Sequence, residues 1–199
     1  MLLCEGLQNA YNSHDPPEVR QWARRVMAMS NLPAMFVPYA WRMLRSPPLV
    51  ADQQLGQKLQ SFARYFERTW ICGSFPTSLW THYDHIGPRT TNNAEGWHNS
   101  INHTFGIAHP SLTTFLNWLQ KYQFQVQCRG LQLEAGRPGK PRAAVYVKLD
   151  EDLMRAKTDL SLRIGHVFLS IFPSPVAWQC IEWELSQYLA RVAYLSGIN

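Results

Sequence analysis

The clearest apolar pattern in the first half of the chain begins after Asp52. Its members recur every three or four residues, at Leu55, Leu59, Phe62, Ala63, Phe66 and Trp70. Apolar residues at this spacing fall on one side of an α-helix, and that side is normally buried. The sequence therefore predicts an amphipathic helix that starts at Asp52.

Two shorter helical patterns precede it. Asp15 followed by Pro16 and Pro17 is typical of a helix start, and apolar residues at helical spacing then predict a helix over 16–29. Prolines at positions 33, 38, 47 and 48 interrupt the next segment, which predicts a kinked or broken helix. Its apolar residues are Met35, Phe36, Tyr39, Trp41 and Leu44.

The middle of the chain predicts a loop followed by a pair of helices. Residues 72–91 lack any period and contain glycines and prolines, so we expect an ordered loop pinned to the core by its aromatic residues. From Asn92, one narrow helical arc contains Ala94, Trp97, Ile101, Phe105 and Ala108. A break at 109–111 precedes a long amphipathic helix that is expected to reach about Cys128 and to pack against the first.

The last third predicts a linker and further helices. Residues 129–142 hold three glycines, two prolines and four basic residues, as in an exposed flexible linker. Residues 143–147 fit either a short strand or the lead-in to a helix that Asp150 caps and Gly165 ends, and we favour the helix. A final helix follows Ser174 and Pro175. The predicted fold is a mainly α helical bundle with regions 1–128, 129–142 and 143–199.

Composition supports a folded core. The chain has 199 residues, of which 46% are hydrophobic and 13% aromatic, so a collapsed core should form. The net charge of +5 fits a polyanionic partner such as nucleic acid, and it fits an ordinary basic protein equally well.

Cysteine spacing and apolar runs exclude several protein classes. The cysteines at 4, 72, 128 and 180 lie far apart, which disfavours a disulfide scaffold or a cysteine-based zinc finger. No signal peptide is recognisable and no apolar run is long enough to span a membrane. We expect an intracellular protein with no membrane partner.

The most distinctive string is RTTNNAEGWHN at 89–99. Asn92 followed three residues later by Glu95 resembles a capping box, which is the more common meaning of such a pattern. The alternative is functional, because a polar face opposite the apolar arc could carry chemistry. That face contains Glu95, Asn99, Asn102 and either His98 or His103.

In its context this string resembles a known family. Together with FARYFERTW at 62–70, Trp80, the Tyr83-Asp84 pair, AHP at 108–110 and the Phe115-Leu116 pair, it is similar to the C-terminal part of animal Mutator-like element (MULE) transposases. The resemblance covers most of the chain and is strongest over 55–127. The residues Asn92, Asn93, His98 and Asn99 support the motif.

The resemblance implies an RNase H-like fold with a DDE site, in which Glu95 is the third acidic residue. In such a site, carboxylates hold two Mg²⁺ or Mn²⁺ ions that drive DNA cleavage and strand transfer. The resemblance also implies a nuclear protein that binds transposon ends, and it leaves a homo-oligomer open.

The chain departs from this family pattern in one respect. The first two aspartates of the family lie on strands upstream of the matching region, and Asp15, Asp52 and Asp84 lie in no apolar run suited to a buried strand. We therefore expect a C-terminal fragment without the strands of the sheet, which has no activity and no bound metal by itself.

Other candidate residues carry weaker signals. Arg129, Arg137, Lys140 and Arg142 could contact DNA phosphates, although such residues are more often a solvated surface. Cys72, His82, Asp84 and His85 fit no common zinc spacing, and polar loop residues are the simpler interpretation. For Trp22, Trp70, Trp97 and Trp183 the spacing favours core packing over base stacking.

Two functions from other classes stay open beside the transposase. One is a domesticated DNA-binding module without catalysis, which the basic charge favours. The other is a helical protein-interaction domain that uses exposed aromatic residues.

Overall fold

The computed structural model describes residues 7–13, 16–85, 92–105, 110–139, 141, 143–171 and 174–195. Within these ranges the chain has eight α-helices and no strand. They are α1 (Gln8–Ser13), α2 (Pro17–Ala28), α3 (Val37–Leu44), α4 (Gln53–Phe66), α5 (Asn92–Phe105), α6 (Leu112–Glu134), α7 (Ala144–Ile171) and α8 (Pro175–Leu195). The prediction of a mainly α fold is confirmed.

The contacts divide the chain into two compact units. The first comprises Met1–Ile86 and Lys148–Asn199, and the second comprises Gly87–Val147. This division differs from the predicted regions, which separated 1–128 from 143–199. None of the helices in the part of the chain that is described is long and apolar enough to cross a membrane.

The core of the first unit forms where the apolar faces of α2, α3, α4, α7 and α8 meet. Trp22 of α2 meets Phe62 of α4 edge to face with ring centroids 5.7 Å apart, and its indole N–H donates to the carbonyl of Leu44 at 2.8 Å. The α8 residues Ile181 and Leu185 are completely buried in the same core. Burial of apolar surface is the main stabilising contribution here.

The stripe predicted after Asp52 forms α4. The Asp52 carboxylate accepts hydrogen bonds from the backbone N–H of Gln54 at 2.8 Å and of Leu55 at 3.3 Å, which satisfies two amides of the first turn. A single π-helical turn, Glu67–Ile71, follows α4. Trp70 lies in this turn and meets Trp80 edge to face, with centroids 6.4 Å apart.

The neighbouring helices agree with the sequence prediction in outline. The helix expected over 16–29 is α2, and its expected cap Asp15 lies outside the described residues. The segment expected to be a kinked or broken helix is a 3₁₀ turn, Ala34–Phe36, followed by α3.

Three predicted boundaries are wrong. The predicted linker 129–142 is helical over 129–134, because α6 continues to Glu134. The helix α7 begins at Ala144, before Asp150, and passes through Gly165 to Ile171. Glycine inside a helix costs only about 1 kcal/mol, and Val167 and Phe168 beyond it pack against the core of the first unit.

The predicted loop is anchored to this core through the buried side chain of Lys157. Lys157 of α7 is only 4% exposed, and its ammonium donates to the backbone carbonyls of His82, at 3.0 Å, and of Tyr83. The Tyr83 hydroxyl returns a hydrogen bond to the Lys157 carbonyl at 3.0 Å and shares a second with Ser161 at 2.6 Å. Trp80 and Tyr83 also pack against the core, so aromatic pinning is confirmed as far as residue 85.

We expect Lys157→Met to lower the free energy of unfolding by about 2 kcal/mol, because the apolar stem is kept while two carbonyls lose their donor. Urea denaturation followed by tryptophan fluorescence measures this change. The matched control is Lys58→Met on the exposed side of α4, which should change stability by less than about 0.5 kcal/mol. Equal effects of the two substitutions would contradict the anchoring role.

Candidate functional site

In the second unit, α5 and α6 are held together by five aromatic side chains, which we call the aromatic seam. They are Trp97 and Phe105 of α5 and Phe115, Trp118 and Tyr122 of α6. Phe105 meets Phe115 and Trp118 at centroid distances of 6.3 and 5.6 Å, while Trp97 meets Trp118 and Tyr122 at 6.4 and 6.5 Å. The two helices are therefore an antiparallel pair, and the predicted packing is confirmed.

The aromatic seam fixes which face of α5 meets solvent. At about 100° per residue, Glu95, Asn99 and Asn102 lie on the side of α5 away from Trp97 and Phe105. All three are exposed, as are His98 and His103. The predicted polar face is therefore presented to solvent.

Glu95 lies in the first turn of α5. The N-terminal end of a helix carries a partial positive charge, which favours a carboxylate at this place. The helix begins at Asn92, but the side chains of Asn92 and Asn93 lie outside the described part of the molecule. The predicted capping box depends on the Asn92 side chain, so it also lies outside the described part of the molecule.

The described residues do not supply the ligands of a two-metal site. Among them, no three His, Cys, Asp or Glu side chains are close enough together to hold one metal ion. Glu95 alone cannot hold two ions. The other weak candidates, His82 and His85, have ring centroids 6.1 Å apart.

The basic segment after Cys128 begins as helix, where the sequence predicted a flexible linker. Arg129 is an exposed residue of α6, and Arg137 follows the end of that helix. The N–H of Gly136 donates to the Leu133 carbonyl at 3.0 Å, and the N–H of Arg137 donates to the Gln132 carbonyl at 2.9 Å. Lys140 and Arg142 lie outside the described residues.

These two hydrogen bonds form a Schellman motif, which ends a helix with a residue in the left-handed conformation. Gly136 has a φ of 84°, a value that glycine adopts at little cost. The chain turns back here, so that a Cβ at Gly139 would lie 3.5 Å from the side chain of Leu133.

The end of α6 and the returning chain enclose a shallow groove of about 480 Å³, which we call the α6 groove. It is lined by Phe124, Gln125, Cys128, Arg129, Gln132, Leu133, Arg137, Pro138 and Gly139. The sequence prediction found only the two arginines. Gln125, Arg129 and Gln132 fall on one helical face, a signal that is readable once α6 is extended past Cys128.

The four tryptophans predicted to pack in a core differ in how far they are exposed to solvent. Trp22 is buried and Trp70 partly buried, whereas Trp97 packs in the aromatic seam at the edge of solvent. Trp183 is 57% exposed, so core packing is wrong for this residue. It lies about 200° around α8 from the buried Ile181, which turns it away from the core.

Trp183 borders a second groove, of about 340 Å³, between α7 and α8. Both carboxylates of this groove are paired with arginines. Asp159 meets Arg191 at 2.7 Å, and Glu184 meets Arg163 at 3.6 Å. These ion pairs join the two helices.

Comparison with protein-family models, with curated proteins and with solved structures finds no match for this chain. The resemblance to MULE transposases rests on the sequence strings at 62–70, 89–99 and 108–110 and the residues near them.

We expect two glycine substitutions in α6 to have opposite effects. Gly136→Ala should destabilise the end of the helix by about 1 kcal/mol, because a Cβ disfavours positive φ. Gly130→Ala should stabilise α6 by about 0.5–1 kcal/mol, since glycine is a poor helix former and a Cβ at this position meets no atom within 4 Å.

Hydrogen exchange of the amides of α6 measures both effects. Exchange should become faster in Gly136→Ala and slower in Gly130→Ala. A change in the same direction for both variants would contradict the placement of the helix end at Glu134.

Proposed function

We propose that this chain is the glutamate-bearing helical part of a DDE-type (MULE) transposase. In this proposal it is a nuclear protein that acts on transposon ends. Glu95 is one carboxylate of a cleavage site that strands of the RNase H-like region complete with two aspartates. The sequence string at 89–99 and the geometry of α5 both support this role.

The observation that carries the proposal is the orientation of Glu95. Catalytic carboxylates must be held rigidly while staying accessible to metal and substrate. The aromatic seam restrains one side of α5, and Glu95 is exposed on the other.

We expect the chain alone to leave DNA uncut in the presence of Mg²⁺ or Mn²⁺, because one carboxylate cannot hold two ions. Cleavage of terminal-repeat DNA should appear when the chain is co-expressed with the strand-bearing region of an animal MULE transposase. Glu95→Gln should then lower the cleavage rate by about a hundredfold or more, as loss of a metal ligand does. A nicking assay measures this.

The matched control is Glu134→Gln, an exposed glutamate at the end of α6. It should leave cleavage unchanged. Equal loss in both variants would contradict the specific role of Glu95, and cleavage by the chain alone that depends on Glu95 would contradict the incomplete site.

The second candidate function is DNA binding without catalysis. The observation that favours it is the pair of exposed arginines in the α6 groove, Arg129 and Arg137, together with the net charge of +5. None of the described residues that line this groove is acidic. A basic surface of this kind binds phosphates and releases counterions.

Replacing Arg129 and Arg137 together by Gln should make duplex binding less dependent on salt. Each phosphate contact contributes about 0.9 to the slope of log affinity against log salt, so the slope should fall by about two. Fluorescence anisotropy over a salt series measures it. The matched control replaces Lys58 and Arg64, two exposed cations of α4, by Gln. A slope that falls equally in the control would contradict a specific interface.

A third candidate is a helical protein-interaction domain. It is favoured by apolar side chains of α6 that are exposed in this chain, among them Leu112, Leu116, Val126 and Leu131. Recovery of one stable protein partner in the absence of nucleic acid would support it over DNA binding.

A further inference from the structure

We propose that the α6 groove binds single-stranded DNA. Phe124 provides the surface on which a base stacks, and Arg129 and Arg137 contact the phosphates. This inference rests on the DNA contact proposed above and specifies the form of DNA that the site takes.

The charge of the groove fits a polyanion. Arg129 and Arg137 both line it, and both are exposed. None of the described residues that line the groove is acidic. Guanidinium groups also bind phosphate oxygens through two parallel hydrogen bonds.

Phe124 indicates that the groove contacts bases as well as phosphates. Its side chain is 66% exposed, although burial of a phenylalanine ring is favourable. The ring lies on the same groove as the two arginines. An exposed aromatic ring beside cations is the arrangement by which proteins bind unpaired bases, because every base has a face that can stack.

The groove is large enough for a nucleotide, and one of its walls is fixed by hydrogen bonds. Its volume of about 480 Å³ lies within the range of small-molecule sites, about 300–1,000 Å³. The wall formed by Arg137, Pro138 and Gly139 is held by the hydrogen bonds of the Schellman motif. Gln125 and Gln132 add amide groups that can donate to and accept from the edge of a base.

Duplex DNA cannot use this groove fully. Bases in a duplex are stacked on one another, so a ring on the protein surface reaches them only if a base leaves the stack. The duplex would therefore contact the two arginines and leave Phe124 unused. A single strand can engage both.

The test compares a labelled oligo-dT of about 15 nucleotides with a duplex of equal length, by fluorescence anisotropy on the full chain. We expect tighter binding of oligo-dT. Phe124→Leu should weaken oligo-dT binding by about tenfold and duplex binding by less than about twofold, since stacking on one aromatic ring contributes about this much. Phe124→Tyr should bind oligo-dT as the unaltered chain does.

Phe75→Leu is the matched control, because Phe75 is also exposed, at 53%, and lies in the first unit. It should leave oligo-dT binding unchanged. Circular dichroism spectra of all variants should match that of the unaltered chain, since both rings are largely exposed.

A second readout uses the cysteine of the groove. Cys128 is half-buried in the α6 groove, whereas Cys72 is exposed in the first unit. Oligo-dT should slow the alkylation of Cys128 by iodoacetamide, followed peptide by peptide in a mass spectrometer, and leave Cys72 unaffected.

Four results would overturn the inference. Equal oligo-dT affinity of Phe124→Leu and the unaltered chain would exclude the stacking role, and tighter binding of duplex would exclude the preference for a single strand. Tighter binding of oligo-U would assign the groove to RNA. If one of these results is obtained but the chain still binds duplex DNA, only the single-strand inference fails and the proposed DNA contact stands. If the chain binds no nucleic acid at about 50 mM salt, the single-strand inference and the proposed DNA contact are both refuted.

Discussion

The second unit depends on the packing of aromatic rings between α5 and α6. No residue of α6, all of which are described, is buried, so this helix is held by contacts on one side. Aromatic pairs contribute about 0.5–1.5 kcal/mol each beyond the area they bury, and the aromatic seam contains several. These contacts fix the rotation of both helices about their axes. Glu95 is turned to solvent for this reason.

The other end of α6 lies beyond the aromatic seam and is shaped by a glycine turn. Beyond Tyr122, the helix extends past the aromatic seam, and its side chains there meet solvent. The left-handed turn at Gly136 then brings the chain back along the helix and encloses the α6 groove. The proposed DNA contact therefore depends on a helix end that a conformational property of glycine determines.

Much of the fold was predictable because apolar periodicity reports burial directly. The stripe after Asp52 supplies the buried face of α4, which Asp52 caps, and the arc of α5 contributes Trp97 and Phe105 to the packing against α6. The end of α6 was not predictable from composition. Gly130 and Gly136 look alike in the sequence, but only Gly136 has positive φ. Gly165 shows the same ambiguity, since packing of Val167 and Phe168 carries α7 past it.

The candidate site was predictable in part. Glu95 was identified from the string around it, and its exposure follows from the spacing of Trp97 and Phe105. Phe124 was missed because an apolar residue in an amphipathic helix is normally assigned to a buried face. Lys157 was missed for a related reason: a lysine is expected at the surface, and the carbonyls that accept its hydrogen bonds lie in a distant part of the sequence.

The most direct test of the account is to map where DNA touches the chain. Ultraviolet cross-linking to an oligonucleotide that carries 5-iododeoxyuridine, followed by peptide sequencing, identifies the contacts. Cross-linked peptides should come from the second unit, Gly87–Val147, with Phe124 among the modified residues. Cross-links confined to the first unit would contradict the proposed DNA contact.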